Sequence, residues 1–409
     1  MRKGLVCLAL FFLCLLLVGA TEKPESVAIS PLSCDSAILK GEGGSETITL
    51  TMAGEWCLSS DAPWLRVEPT SGGAGKVSIV LTTLANESGN DRTGEVAVLA
   101  AGESFSFSVR QRVKIFSRKK AYSGRVTNGL VLNNFGTTFS WIYAVIPFPL
   151  SNRYQEISNL SAPGCAVDAC PDGLNYYFSR KVQSYGIPRS GEYVIYETFD
   201  AEIYTVIADL SKITVIPEYD PKSEECEMYL KKERNGLIDP TNPKIATTAQ
   251  TLWEEAEGDL LTYARKCFDW THDNITYGQK FTGLHSIKEI MKSMIGDCGN
   301  FSSVFISLLR AKGIPARHIV MVNPKGANHI RAEFYIPAYG WIPADPTWGG
   351  ANFGISSGSY IVVAQGINNV IKDQDGRDYT IKCLQEGYYY YWYEKKGAFS
   401  FTYQCSGLN

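Results

Sequence analysis

The sequence predicts a multidomain α+β chain: an N-terminal β-sandwich, a second sandwich-like β-domain, and a C-terminal α+β domain. Three observations predict it. At 409 residues the chain exceeds the roughly 150 expected per domain, so two or three domains follow. Period-two alternation marks strands through the first half. From about residue 242 apolar residues recur instead at spacings of three and four, the helical period. With 45% hydrophobic and 20% charged residues, the composition suits packed cores and excludes a disordered or collagen-like chain.

The N-terminus is the first element. Arg2 and Lys3 precede an apolar run over 4–18, and Val18-Gly19-Ala20 closes it with small residues. This pattern predicts a signal peptide over 1–20 and an exported (periplasmic, cell-surface or secreted) protein. No later stretch reaches the roughly 20 apolar residues of a membrane span, so none is expected. The net charge of −3, from 39 basic and 42 acidic residues, lacks the basic surface of a nucleic-acid binder, and no nucleic-acid partner is expected. Of 11 cysteines, Cys7 and Cys14 leave with the signal, so nine remain (11 − 2). An odd count in an exported protein leaves one thiol over. Nearest-neighbour pairing in sequence would join Cys34 to Cys57, Cys165 to Cys170, Cys226 to Cys267 and Cys383 to Cys405, leaving Cys298 free.

Residues 25–113 alternate polar and apolar over 47–52, 77–81 and 105–109, with turns at Gly72-Gly73, 86–90 and Ala101-Gly102. Half-buried strands between turns predict a β-sandwich. A basic, polar stretch at 112–120 reads as a linker. Strand-like segments at 130–132, 139–146, 193–198 and 203–210 then predict a second β-domain over 121–240. The third domain, 241–409, opens with an amphipathic helix over 246–270 and a shorter one over 287–295, and closes with strands such as 360–363 and the tyrosine run 388–393.

The chemistry-bearing residues lie inside this third domain. Phe301, Val304, Phe305, Leu308 and Leu309 form one helical stripe that Gly313 and Pro315 terminate. Cys298 in Gly296-Asp297-Cys298 therefore stands at a helix N-terminus. Unpaired N–H groups and the helix dipole there stabilise a thiolate and the oxyanion formed when a carbonyl is attacked. A nucleophilic cysteine needs a base and the base an orienting group. His329, Arg331, Glu333 and Tyr335 alternate onto one face of a strand, and a turn at 337–340 brings a second strand back to Asp345. An even connection would put Asp345 on the face away from His329. An odd connection, or a bulge at Gly340, sets Asp345 opposite Arg331 and within diagonal reach of His329, and the odd register is expected. His285 is expected at a surface or cap, His318 in the core and His272 in a polar turn. None has a metal-ligand spacing, so neither metal nor cofactor is expected.

These residues carry two resemblances. Trp56, the Asp61-Ala62-Pro63-Trp64-Leu65 segment, 69–72, Arg92-Thr93-Gly94 and Val109-Arg110-Gln111 resemble a BACON module. That resemblance implies a glycan or mucin ligand, or a spacer with Trp56 and Trp64 in its core. Gly296-Asp297-Cys298, the strand His329 and Trp341-Ile342-Pro343-Ala344-Asp345-Pro346-Thr347-Trp348, supported by Phe268-Asp269-Trp270, 274–277 and 309–317, are similar to the transglutaminase-like superfamily with its papain-like fold. The resemblance implies a catalytic triad of Cys298, His329 and Asp345, with Trp270 and Gln279 as candidate oxyanion donors. It also implies thiol acyl transfer on amide bonds of a protein, peptide or cell-wall substrate, by hydrolysis more than cross-linking. The alternative is a non-catalytic exported carbohydrate- or protein-binding protein that keeps the fold.

Overall fold

The computed structural model describes residues 36–278 and 281–408. The expected signal peptide over 1–20 lies outside these residues. Among the described residues no helix is long and apolar enough to cross a membrane. The architecture is multidomain α+β, and the chain divides into two compact units.

The first unit comprises 36–39, 43–86 and 91–111 among the described residues. One sheet runs in the order Ser36–Leu39, Glu103–Gln111, Arg92–Ala100, Trp56–Ser60, Ser71–Gly72; the other is Gly44–Met52, Gly75–Thr83, Leu65–Glu68. Alternation in the sequence becomes alternation in burial: Ile79, Leu81, Val96, Val98 and Val109 interdigitate between the sheets. Trp56 is a core residue whose indole N–H donates to the Gly73 carbonyl at 2.9 Å. Gly72 is required beneath it, since a Cβ there would meet the ring at 2.6 Å. The guanidinium of Arg92 sits 4.6 Å from the centre of the Trp64 ring.

In the second unit, which includes 112–408, a four-stranded array faces a five-stranded one, whose fifth strand, Ile355–Ser356, pairs with Ser190–Ala208. One is ordered Ala166–Ala169, Tyr176–Gln183, Thr138–Phe148, Tyr388–Lys395. The other is Gln155–Ser161, Ser190–Ala208, Phe116–Phe135, Ala398–Gly407. Leu130, Leu132, Phe139, Ile142, Ile146, Phe178 and Ile195 fill the space between them. The tail strands, expected with 241–409, instead complete the sheets begun by 116–148, so the division at 240/241 does not separate two bodies. The tyrosine run pairs with Thr138–Phe148 from Val145↔Tyr388 to Phe139↔Tyr393 and covers an edge of the first array, while Ala398–Gly407 covers an edge of the second by pairing with Phe116–Phe135.

Helices Pro243–Glu255, Leu260–Asn274 and Cys298–Arg310 pack beside an antiparallel sheet ordered Gly340–Ala344, His329–Ile336, Ala316–Val322, Ile361–Gln365. Phe268, Phe305 and Phe334 meet edge to face at their interface. The single helix expected over 246–270 is two. Glu257 and Gly258 take left-handed φ values of 52° and 77°, which only the glycine adopts without strain. Asp259 then caps the next helix by accepting from the Thr262 N–H.

The disulfide expectation is corrected. Cys165, Cys170, Cys226, Cys267, Cys383 and Cys405 are free thiols; Cys34 lies outside the described residues. Closeness in sequence misled because the extended strand Ala166–Ala169 stands between Cys165 and Cys170. Five steps of about 3.3 Å exceed the reach of about 7 Å between bridged Cα atoms. Cys298 is thus not singled out by being the odd thiol.

Glu197 is fully buried at the middle of its sheet, with Oε1 accepting from Asn128 at 2.7 Å and Oε2 without a partner among the described residues. Burial pushes its carboxyl up to about 8. Because the folded value lies above the unfolded one, its favourable contribution is complete below about pH 4.5 and is lost as pH rises through 8. Glu197→Gln is expected to stabilise the protein by about 2 kcal/mol at pH 8. Thermal unfolding followed by circular dichroism should show that gain shrink to nothing near pH 4.

Candidate active site

The helix bearing Cys298 is fixed by the four residues around its start. Asp297 is the N-cap: Oδ1 accepts from the Asn300 N–H at 3.2 Å and from the Asn300 side chain at 2.8 Å, while Oδ2 accepts from the Gly283 N–H at 2.7 Å. Burial raises the Asp297 carboxyl despite these bonds. Gly296 and Gly299 are needed for space, since a Cβ would lie 2.6 Å from Asn300 and 2.8 Å from Leu284 respectively. The expected single buried stripe is too modest: Gly299 through Arg310 are all buried. Cys298 itself is half-buried and lines an open cavity of about 800 Å³ with Tyr277, Asn328, Cys383, Tyr403 and Cys405. One wall of that cavity is therefore the Ala398–Gly407 strand.

His329 and Asp345 meet behind the thiol. Ile336 pairs with Gly340 and Ala332 with Ala344, so the connection is the three-residue turn 337–339 and the register is odd, as expected. No bulge is needed within the hairpin; Ala338 and Gly340 turn the chain with φ of 65° and 93°. The ladder ends at Ala344, and one residue on Asp345 places its Oδ2 2.5 Å from His329 Nε2. Nδ1 is thereby left for the Cys298 thiol, which raises the ring's affinity for a proton. Burial alone would push this imidazole down. Hydrogen bonds to Asp345 and Cys298, and the negative charge of both partners, outweigh it and push the ring up to about 9.

Further residues hold the ring in place. Tyr360 stacks on it at 5.1 Å between centroids, and exposed Trp348 stands 6.1 Å away. The Gln385 amide donates to the carbonyls of His329 at 3.0 Å and Met321 at 2.8 Å, fastening the tail segment to the start of the histidine strand. Neither Tyr360 nor Gln385 was visible in the sequence, since both arrive through long-range packing. Trp348 stood in the sequence as the last residue of the segment that carries the resemblance.

The other candidates are dispersed. Trp270 is half-buried on the Leu260–Asn274 helix, packed against the main core, and does not line the cavity; Gln279 lies outside the described residues. His318 is fully buried, beside the Ser303 hydroxyl at 3.1 Å, and burial holds it down at about 3. His272 belongs to the last turn of a helix rather than a loop, with Nδ1 3.0 Å from the Pro346 carbonyl. His285 stacks on Phe281. Among the described residues no group of three His, Cys, Asp or Glu side chains is arranged to hold a metal ion.

Residues 246–346 match the family model of the transglutaminase-like superfamily, and residues 26–114 match that of the viral BACON domain. A protein of Haemophilus influenzae, described as uncharacterized, is 23% identical over 288 residues, 61% of this chain and 75% of that one. Among solved structures, a Cytophaga hutchinsonii protein provisionally named a cysteine protease is 14% identical with a TM-score of 0.45, covering 71% of this chain and 100% of that one. A Bacteroides ovatus GH5 xyloglucanase is 27% identical with a TM-score of 0.19, over 20% of this chain and 18% of that one. The chain joins a BACON-like N-terminal module to a domain of the transglutaminase-like superfamily.

Proposed function

We propose that the protein is an exported cysteine enzyme that cleaves amide bonds of peptide or protein substrates by thiol acyl transfer. The observation that carries this reading is the His329 imidazole bonded to the Asp345 carboxylate beside the Cys298 thiol, which itself lines an open cavity. The Cys298 sulfur attacks the carbonyl carbon and forms a C–S bond. Imidazolium Nδ1 gives its proton to the departing nitrogen as the C–N bond breaks, leaving a thioester and a free amine. Water then attacks the thioester, with His329 taking its proton, and the C–S bond breaks to release a carboxylate. Asp345 fixes the ring orientation and balances its positive charge. Asp297 takes the Asn300 N–H with its side chain and the Phe301 N–H with its carbonyl, so of the helix-start donors the Cys298 and Gly299 N–H groups are left to receive the oxyanion.

Hydrolysis is favoured over cross-linking because the cavity is open, and transfer to an amine requires that water be kept from the thioester. The test is incubation of the purified protein with a library of peptide amides, with and without an excess of a primary amine. Mass spectrometry should find new carboxylates that depend on Cys298. Amine adducts displacing the acid would turn the reading to transglutamination, and no product of either kind from any peptide would overturn it.

A further inference from the structure

The cavity around the nucleophile carries charge of one sign. Two acidic side chains, Asp297 and Glu386, line it, and among the described residues no lysine, arginine or histidine does. Asp297 is spent as the helix cap, its oxygens accepting from the Asn300 N–H, the Asn300 side chain and the Gly283 N–H. Glu386 is exposed, and its Oε1 accepts from the Asn328 side chain at 3.1 Å. No cation pairs with it among the described residues, because the basic neighbours are engaged elsewhere. Lys382 Nζ donates to the Leu284 carbonyl at 3.0 Å, Lys325 Nζ lies 4.7 Å from the centre of the Tyr122 ring, and His285 faces Glu289.

The place of this carboxylate is tied to His329. Asn328 directly precedes the histidine, and its amide is held at both ends: Oδ1 accepts from the Asn323 N–H at 3.1 Å and Nδ2 donates to Glu386. Gln385 directly precedes Glu386 and donates to the His329 carbonyl at 3.0 Å. One residue earlier, the Leu384 N–H donates to Oδ1 of the buried Asn369 at 3.0 Å. The chain is thus fastened on both sides of the Asn328–Glu386 bond, and the carboxylate holds a fixed place relative to the imidazole. A charge already held in place loses little side-chain freedom when a partner arrives, and that loss is what makes ordinary exposed ion pairs weak.

We infer that Glu386 is a specificity-determining residue of this cavity, and that the substrate is a peptide carrying a cationic side chain, an ammonium or a guanidinium, beside the amide that is cleaved. This inference rests on the proposed thiol acyl transfer. A cleft lined by one sign of charge draws in the opposite sign and disfavours its own. Glu386 Oε2, which no described residue occupies, accepts from the incoming cation, while Oε1 stays on Asn328.

The experiment reads charge preference with and without turnover, on the full-length protein and its Glu386→Gln and Glu386→Lys variants. Glutamine keeps an oxygen for Asn328 and removes the charge. The labelling probes are the chloroacetyl derivatives of lysine amide, norleucine amide and glutamate amide, with alkylation of Cys298 followed by peptide mapping. The turnover probes are peptide amides that differ only in carrying lysine, norleucine or glutamate next to the bond to be cleaved. In the wild type lysine should outrun norleucine about tenfold in both assays, the scale of a charge-assisted hydrogen bond, with glutamate slowest. Added salt should shrink that ratio. Glu386→Gln should bring the lysine-to-norleucine ratio close to unity, and Glu386→Lys should put glutamate ahead of lysine. Labelling of the wild type without regard to charge, or a preference that survives both substitutions, would overturn the inference whether or not peptides are cleaved. Charge-selective labelling with no peptide cleaved would overturn the cleavage reading instead.

Discussion

Cys298 is expected to react with iodoacetamide near neutral pH well ahead of the other described thiols, and His329→Ala to slow that reaction by roughly ten- to a hundredfold. The contrast arises inside one cavity. Cys383 and Cys405 share its lining with Cys298, yet burial pushes Cys405 up to about 12 and Cys383 higher still, so neither supplies thiolate near neutrality. Cys298 alone faces an imidazolium. Peptide mapping after brief labelling reads all three sites in one sample. On any peptide amide that the protein cleaves, Cys298→Ala should cost about four orders of magnitude in turnover, the scale of a lost nucleophile. Equal labelling of the three cysteines, or turnover that survives Cys298→Ala, would remove the enzyme reading.

Asp345→Asn is expected to have the second large effect, and it carries a pH signature. His329 is pushed up to about 9 from an ordinary value of 6.5. A raised folded value means that the imidazolium–carboxylate interaction contributes fully below about pH 6.5 and is lost as pH rises through 9. Each tenfold gain in the ring's proton affinity corresponds to about 1.4 kcal/mol, so the contribution is roughly 3 kcal/mol at its largest. Asparagine keeps the shape but not the charge. The variant should therefore be about 2 kcal/mol less stable than the wild type at pH 6 and nearly equal to it at pH 10, as measured by denaturant unfolding. Turnover should fall about 10³- to 10⁴-fold, because an amide no longer holds the required tautomer. A stability difference independent of pH would show that the imidazole is not charged in the folded state.

Local physics was legible wherever a residue's neighbours in space are also its neighbours in sequence. The helix start at Cys298 follows from Gly296-Asp297 and the apolar spacing after 301, and the hairpin face follows from period two. The break at Glu257-Gly258-Asp259 was written there as well, a glycine followed by a capping aspartate, but the apolar spacing on either side masked it. Disulfide pairing was not legible, because whether two cysteines meet depends on strand direction and Cβ geometry that spacing does not contain. Gln385 and Tyr360 reach His329 from 56 and 31 positions downstream, and no local pattern announces such a contact. The charge balance around Glu333 was half visible: Arg331 and Glu333 shared a face on paper, but Tyr154 and Arg317 joined them only in three dimensions.

The way the Tyr388–Lys395 and Ala398–Gly407 strands close the sandwich has a consequence for synthesis. The strands over 116–148 emerge from the ribosome 243 to 281 residues before their partners, and must wait with open edges while everything between is made. A chain stopped after residue 346 already holds the thiol, the imidazole and the carboxylate. It lacks the strand that walls the cavity and the glutamine that anchors the histidine. A chain ending at residue 346 is therefore expected to cleave none of the amides that the full chain cleaves, because its nucleophile stands without wall or anchor.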